Sequence, residues 1–365
     1  MDSKKRKKSW RKSIYFTVIA FFAVSVIVGI LAFVYRTYRQ QVIRDDTKIT
    51  EPTGIESLEK VTLDGVDQWI LVRAEDRSNP VLLWLHGGPG SPTMPLASQH
   101  DRELVKHFVV VHWDQRGAGK SYSPDIPQSA MVVDQFVSDT YELTQMLAGR
   151  FDVPKIYLVG HSWGSQVGML TVARHPDSYY AFIAVGQFVY SVAGDAVGYQ
   201  FALNQAASEE NEKALEELEA IGPPPWTTAK QRATNARWID AFGGTGRQFV
   251  TADYFREIVN SPEYTLWDLF DYLRGMLFSG NALLANGEYN RVNLFEQAPK
   301  VDVPVHFFQG RYDYSTPGEV VERYYETLDA PQKSLVWFEQ SAHFPQWEEP
   351  QKFADELLRI LSETN

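Results

Sequence analysis

From Ile14 to Tyr35 the chain reads IYFTVIAFFAVSVIVGILAFVY, 22 residues without a charge. As a helix at 1.5 Å per residue it spans about 33 Å, enough to cross the hydrocarbon of a bilayer. Beyond it the apolar runs shorten. VTLDGVDQWILV (61–72) holds two β-rich stretches around Asp64-Gly65, which predicts a hairpin. PVLLWLHGG (80–88), FVVVHWDQRG (108–117), KIYLVGHSWG (155–164), AFIAVG (181–186), VPVHFFQG (303–310) and SLVWFEQSA (334–342) are apolar at nearly consecutive positions. Strands covered on both faces read this way. Helical periodicity separates several of them, most clearly over 131–149 and 351–363, so the alternation predicts a doubly wound, mostly parallel α/β sheet.

Between about 190 and 300 the strand pattern stops. NEKALEELEAIG (211–222) predicts a helix ended by Gly222 and the prolines that follow. Ser261-Pro262-Glu263 predicts the opening of another, with Leu266, Leu269, Phe270, Leu273 and Leu277 at helical spacing. The expected organisation is a basic tail over 1–13, a transmembrane anchor over 14–35 and a stalk over 36–52. An α/β core built from 53–189 and 301–365 follows, with a helical cap over 190–300 inserted into it.

Charge adds orientation. Residues 1–13 hold seven basic side chains against Asp2, a net +6, so the −11 of the whole chain leaves −17 for the rest. The bias of positive charge toward the cytoplasm puts the N-terminus there and the domain outside, in a single-pass protein of the cell membrane whose lipid contact is 14–35. A cleaved signal peptide is the competing reading. Its apolar stretch is usually about 7–15 residues and ends in small ones, whereas this run ends in Phe33, Val34 and Tyr35. The acidic remainder would repel nucleic acid, so no nucleic-acid partner is expected. The absence of cysteine excludes disulfides, thiolate metal sites and a cysteine nucleophile.

Gly160-His161-Ser162-Trp163-Gly164 is a G-x-S-x-G sequence between a predicted strand and a predicted helix, the setting of a nucleophile elbow. A serine hydroxyl needs a base, and the base needs a carboxylate to hold its tautomer. In this arrangement the partners follow in the order serine, acid, histidine, each beyond a later strand. Asp313 follows 303–310 and His343 follows 334–340. Asp302 and Asp329 are rival acids, but Asp302 precedes its strand and belongs at the opposite edge. His306 lies within a strand and reads as core. His100, His107, His112 and His175 have no partner pattern. Donors for an oxyanion are expected from the backbone N–H of Trp163 and from the loop His86-Gly87-Gly88-Pro89-Gly90. No metal and no cofactor is implied.

His86-Gly87-Gly88-Pro89-Gly90, then Asp114-Gln115-Arg116-Gly117-x-Gly119-x-Ser121, then Gly160-x-Ser162-Trp163-Gly164-Ser165, together resemble the prolyl iminopeptidase branch of the α/β hydrolases over about 60–185 and 300–362. The resemblance implies the α/β-hydrolase fold and release of an N-terminal residue, often proline, from peptides. It implies the triad Ser162, Asp313 and His343, with Gly88 and Trp163 at the oxyanion hole; Gly87 of the same glycine loop is a further candidate for substrate binding. Asp114 to Arg116 looks like a scaffold turn. Such enzymes hold the substrate amine with cap glutamates, one of them in a Trp-x-x-Trp-Glu stretch. Here Trp238-Ile239-Asp240-Ala241-Phe242 lacks the second Trp-Glu, which leaves Asp240, Glu257, Glu263, Asp268 and Asp271 as candidates.

Three functions stay open on the sequence: an aminopeptidase acting on small peptides, a carboxylesterase or lipase using the same triad on acyl esters, and a catalytically idle fold used as a scaffold. The cap aromatics Trp226, Trp238, Tyr254, Phe255, Tyr264, Trp267, Phe270, Tyr272 and Phe278 serve either as cap core or as an acyl pocket.

Overall fold

A computed structural model describes residues 2–364, with side chains described from Tyr15 onward. The basic side chains expected over 1–13 lie outside the described set. One sheet has eight strands: β1 (Ile55–Leu63), β2 (Val66–Ala74), β3 (Val81–Leu85), β4 (Val109–Asp114), β5 (Ile156–His161), β6 (Tyr179–Val185), β7 (Val305–Gly310) and β8 (Lys333–Phe338). Their order is β1-β2-β4-β3-β5-β6-β7-β8. The β1–β2 and β2–β4 pairs are antiparallel and the rest parallel. Asp64 and Gly65 both take positive φ, 42° and 73°, as a tight hairpin turn between β1 and β2 demands.

The continuous apolar runs have the physical cause expected of them. In β3, Val81, Leu83 and Leu85 enter one hydrophobic cluster and Leu82 and Trp84 the other. β4 and β5 divide in the same way, so both sheet faces exclude water. Helices α2 (Met94–His100), α3 (Val133–Phe151) and α4 (Trp163–Arg174) link the early strands, while α12 (Gly318–Thr327), α13 (Pro345–Glu348) and α14 (Pro350–Thr364) come late. α3 gives Phe136, Leu143 and Leu147 to the first cluster, and α14 gives Phe353, Leu357 and Ile360 to the second.

Seven helices intervene between β6 and β7: α5 (Ser191–Ser208), α6 (Glu212–Ile221), α7 (Ala229–Ala241), α8 (Thr251–Asn260), α9 (Leu266–Ala285), α10 (Glu288–Arg291) and α11 (Leu294–Gln297). Gly222 ends α6, at φ 64°. The start of α9 differs from its expected place. Thr265, not Ser261, is the N-cap: its hydroxyl accepts from the Asp268 N–H at 3.2 Å while the Asp268 carboxylate takes the Thr265 N–H at 2.6 Å. The Ser261 hydroxyl donates instead to Glu263, at 2.6 Å. A reciprocal capping box outcompetes a lone serine followed by proline.

The N-terminal helix α1 (Asp2–Thr47) is continuous. Its portion Tyr15–Thr47 is long and apolar enough to cross a membrane, with mean hydropathy 2.8 in its most apolar window and none of that window buried. Residues 36–52 were expected to form a stalk, yet helix persists to Thr47 and packs on the domain. Arg36, Gln40, Ile43 and Thr47 are buried along one helical face. The Arg36 guanidinium donates to the Val259 and Tyr264 carbonyls at 2.6 Å each, and the Gln40 amide to the Ser261 carbonyl at 2.6 Å. Arg73 of β2 donates to the Thr47 carbonyl. Polar composition read as solvent exposure because these polar side chains satisfy main-chain groups of a different part of the chain.

Candidate active site

β5 delivers Ser162 at the carboxyl edge of the sheet, and α4 begins at the next residue. Ser162 takes φ 54° and ψ −121°, a conformation that costs a residue with a Cβ and that persists only where its surroundings enforce it. They do so here. The Ser162 N–H donates to the Val185 carbonyl at 2.9 Å, and its carbonyl accepts from the Ser165 N–H at 2.9 Å. A Cβ at Gly160 would collide with the backbone of Gly164 and Ser165, and one at Gly164 with the carbonyls of Leu85 and His86. The glycines two residues on either side of the serine are therefore steric requirements of this turn.

Asp313 stands in the turn after β7 and His343 in the loop after β8. His343 Nδ1 lies 2.8 Å from Asp313 Oδ2. The Asp313 carboxylate is 2% exposed and fully engaged. Oδ1 accepts from the Ser315 and Thr316 N–H groups at 2.9 and 2.8 Å, and Oδ2 also accepts from the Thr316 hydroxyl at 2.7 Å. Held by so many donors, the carboxylate has one orientation, and the imidazole bound to it has one as well. Asp302, the rival, carries an exposed side chain paired with Lys300 at 3.3 Å, before β7 begins.

A cavity of about 450 Å³ is lined by Ser162, His343, Gly87, Gly88 and Trp163 from the core, and by Asp195, Trp226, Arg232, Ile239 and Tyr289 from the cap. Trp163 is the first residue of α4, so its N–H has no intrahelical acceptor. Gly88, at φ 115°, has no room for a side chain beside the Gly90 and Ser91 N–H groups. Gly88 and Trp163 both line the cavity that Ser162 borders.

The cap carboxylates expected to bind an amine are elsewhere. None of Asp240, Glu257 and Glu263 borders this cavity. Each is used by a neighbour: Asp240 accepts from the Thr251 hydroxyl at 2.9 Å, Glu257 meets His100 at 2.6 Å, and Glu263 takes the hydroxyls of Ser98 and Ser261. The acidic residue that does line the cavity is Asp195, at the start of α5. Burial pushes its carboxyl up to about 6 against the pull of Arg232, whose guanidinium binds it and lies 4.0 Å over the Tyr289 ring. Asp195 carries no motif. The usable signal was that its helix, α5, is the first element after the carboxyl end of β6, the edge where ligands of parallel sheets bind.

Glu348 was also missed. Its Oε1 accepts from the Gln248 N–H at 2.8 Å and the Phe249 N–H at 3.3 Å, with Arg247 N–H a third donor, while Oε2 accepts from the Ala342 N–H at 2.6 Å. One buried carboxylate thus ties the loop carrying His343 to the segment before α8. The His343 N–H in turn donates to the cap carbonyl of Thr245, at 2.9 Å.

His86, at the head of the glycine loop, is held neutral. Nδ1 donates to the Gly87 carbonyl at 2.8 Å, while Nε2 accepts from the Gln115 N–H at 3.1 Å, so a second ring proton would break the latter bond. Burial pushes His86 down to about 4 and His161 to about 3. Both values fall below the ordinary 6.5, so the unfolded chain binds protons before the folded one does. The stability present above pH 6.5 is therefore lost as pH falls toward 4, by on the order of 3 kcal/mol for His86 alone. Melting temperature should fall from pH 7 to pH 5, and His86→Asn should show a shallower fall. An equal slope in the two proteins would refute this origin.

An eight-stranded, mostly parallel sheet with a serine elbow at its carboxyl edge and an acid–histidine pair beyond the last two strands defines the α/β-hydrolase class. The model of the alpha/beta hydrolase family matches residues 82–356, and the chain belongs to that family, as a prolyl iminopeptidase-like member. It is 33% identical over 313 residues to a Bacillus subtilis (strain 168) protein named "Probable aminopeptidase YbaC", covering 85% of this chain and 98% of that protein. With the proline iminopeptidase of Heyndrickxia coagulans it shares 26% identity over 280 residues, 75% of this chain and 87% of the other. Among solved structures, a membrane phospholipase A superposes with a TM-score of 0.62 at 19% identity, over 96% of this chain and 98% of its own.

Proposed function

We propose that the protein is a membrane-anchored serine aminopeptidase of prolyl iminopeptidase type, which releases the N-terminal residue of short peptides through an acyl-enzyme on Ser162. The observation that carries this reading is the single cavity bordered by Ser162, His343 and the carboxylate of Asp195. With Nδ1 committed to Asp313, the other ring nitrogen of His343 is left to take the Ser162 proton as Oγ attacks the scissile carbonyl. The oxyanion receives the N–H groups of Gly88 and Trp163, each donor contributing roughly 3–4 kcal/mol. His343 returns the proton to the departing amine. Water, deprotonated by the same ring, then cleaves the acyl-enzyme, freeing the N-terminal amino acid and restoring Ser162. Asp195 receives the substrate's α-ammonium. Helix α1 crosses the cell membrane with the catalytic domain outside, and no metal or cofactor takes part.

Prolyl and alanyl p-nitroanilides should be cleaved while their N-acetyl forms are not. Equal cleavage of both would overturn the assignment. Asp195→Asn should raise KM for the free-amine substrates about tenfold or more, the worth of one charged hydrogen bond. Turnover of p-nitrophenyl butyrate, which has no amine, should be unchanged. Because burial holds Asp195 near 6, the ratio of kcat/KM for anilide over ester should decline below that pH. The decline should vanish in Asp195→Asn.

The wider wall of the cavity is apolar, with Trp226, Ile239, Phe344 and Trp347. This favours a second reading, an acyl-ester hydrolase using the same triad. Inert anilides with rapid butyrate turnover would select it.

A further inference from the structure

The outer face of cap helix α9 is apolar where a soluble domain would be polar. Leu266, Trp267, Phe270, Leu273 and Leu277 are all exposed, Trp267 by 76% and Leu277 by 62%. Positions 266, 270, 273 and 277 follow helical spacing, so they form one stripe some three turns long. The opposite side of α9 is the packed one, with Tyr272 buried against Tyr254 and Tyr264, and Gly275 and Ser279 against the loop after β4. Phe255 and Val259 of α8 are also exposed, one turn apart, and Arg36 of α1 binds the Val259 carbonyl together with that of Tyr264, just before α9 begins. Arg256 and Arg274 stand beside them with exposed side chains, each paired with a carboxylate one turn back, Asp253 at 2.7 Å and Asp271 at 3.4 Å.

What covers this face follows from the course of α1. The Thr47 carbonyl is bound by Arg73 in the sheet. Arg36, eleven residues or about 16 Å back along the helix, is bound to Val259 and Tyr264 in the cap. The helix therefore climbs from core to cap, and its uncharged stretch leaves the domain beside α8 and the start of α9. The cap, which lines part of the Ser162 cavity, is the part of the domain nearest the apolar segment. Leu266 lies two residues beyond Tyr264, so the apolar stripe begins at the docking site of α1.

We propose that the outer face of α9, with Phe255 and Val259, lies in the headgroup–acyl boundary of the leaflet into which α1 runs, so that helix and cap make one lipid-contact surface. Helices that lie in that boundary carry Trp, Phe and Leu on one face, reaching about 5–10 Å deep, with arginines placed for lipid phosphates. The surface also reaches a cavity next to the active site, through Leu277. This second cavity, lined by Leu277, Met276 and Leu284, shares Gly88, Arg232 and Tyr289 with the Ser162 cavity. The proposal rests on the reading of α1 as a membrane helix.

A chain without cysteine permits a direct test. Phe270→Cys and Leu277→Cys would each be labelled with an environment-sensitive fluorophore in the full-length protein, alongside Val24→Cys in α1 and Asp177→Cys before β6. The proteins would be reconstituted in phosphatidylethanolamine–phosphatidylglycerol nanodiscs containing phosphatidylcholine spin-labelled near its headgroup. Labels at 270 and 277 should lose about half their emission to the spin label and be shielded from iodide, as interfacial burial requires. The label at 177 should behave in the opposite way. If position 24 is shielded from iodide within the bilayer while 270 and 277 are quenched by iodide and untouched by lipid, the cap proposal fails and the membrane helix stands. Shielding of 270 and 277 from both quenchers would mean that protein, such as a second copy, covers the face, and would also overturn it. If position 24 itself is open to iodide, the membrane helix fails and the cap proposal with it.

Discussion

Ser162→Ala should lower kcat by about a millionfold and leave the melting temperature where it was or slightly higher. The rate loss follows from removal of the atom that would form the acyl-enzyme, since a triad works as a unit and what remains is binding and oxyanion stabilisation. The stability follows from the local structure. The Ser162 main chain is fixed by the carbonyl of Val185 and the N–H of Ser165, neither of which involves Oγ. The strained φ of 54° is unchanged by the substitution. Ser162→Gly should be more stable still, because glycine occupies that conformation at little cost. Stopped assays with the anilide substrates, paired with thermal melts, check both halves. An alanine variant retaining a tenth of the activity would remove Ser162 from the mechanism.

Asp313→Asn should lower kcat by about ten thousandfold, the loss expected when an amide stabilises the wrong imidazole tautomer. The cause can be read from the hydrogen bonds. Asp313 Oδ1 accepts two main-chain N–H groups, and Oδ2 accepts the Thr316 hydroxyl beside His343 Nδ1. An asparagine that keeps its oxygen toward Ser315 and Thr316 must turn its NH₂ toward His343. The ring would then accept at Nδ1 and carry its proton on Nε2, where it cannot take one from serine. KM should change little, because Asp313 does not border the cavity. A loss confined to KM would point to a different acid.

The core was legible because burial on both sheet faces leaves a mark in consecutive residues. β3, β4, β5 and β7 are wholly buried and stand where apolar runs predict them. The edge strand β8, only partly buried, was seen through the same aromatic and branched residues. The Asp64-Gly65 turn and the helix ended by Gly222 were equally visible, since their signals are local. Elements whose meaning depends on distant partners were not. Asp195 acquires significance from lining the cavity beside Ser162, whereas Glu257 and Glu263 lie away from it, held by His100 and Ser98, more than 150 residues away. The docked face of α1 was hidden for the same reason, as Arg36 and Gln40 bind carbonyls that no spacing rule connects to them.

Acylation of the elbow serine is the step on which every activity considered for this protein depends. A fluorophosphonate probe applied to the folded, full-length protein, followed by mass mapping of the adduct, tests it most directly. One equivalent on the peptide containing Ser162, and none after His343→Ala at matched exposure, is the predicted result. An unmodified Ser162 in active protein, or an adduct on another residue that abolishes activity, would contradict it.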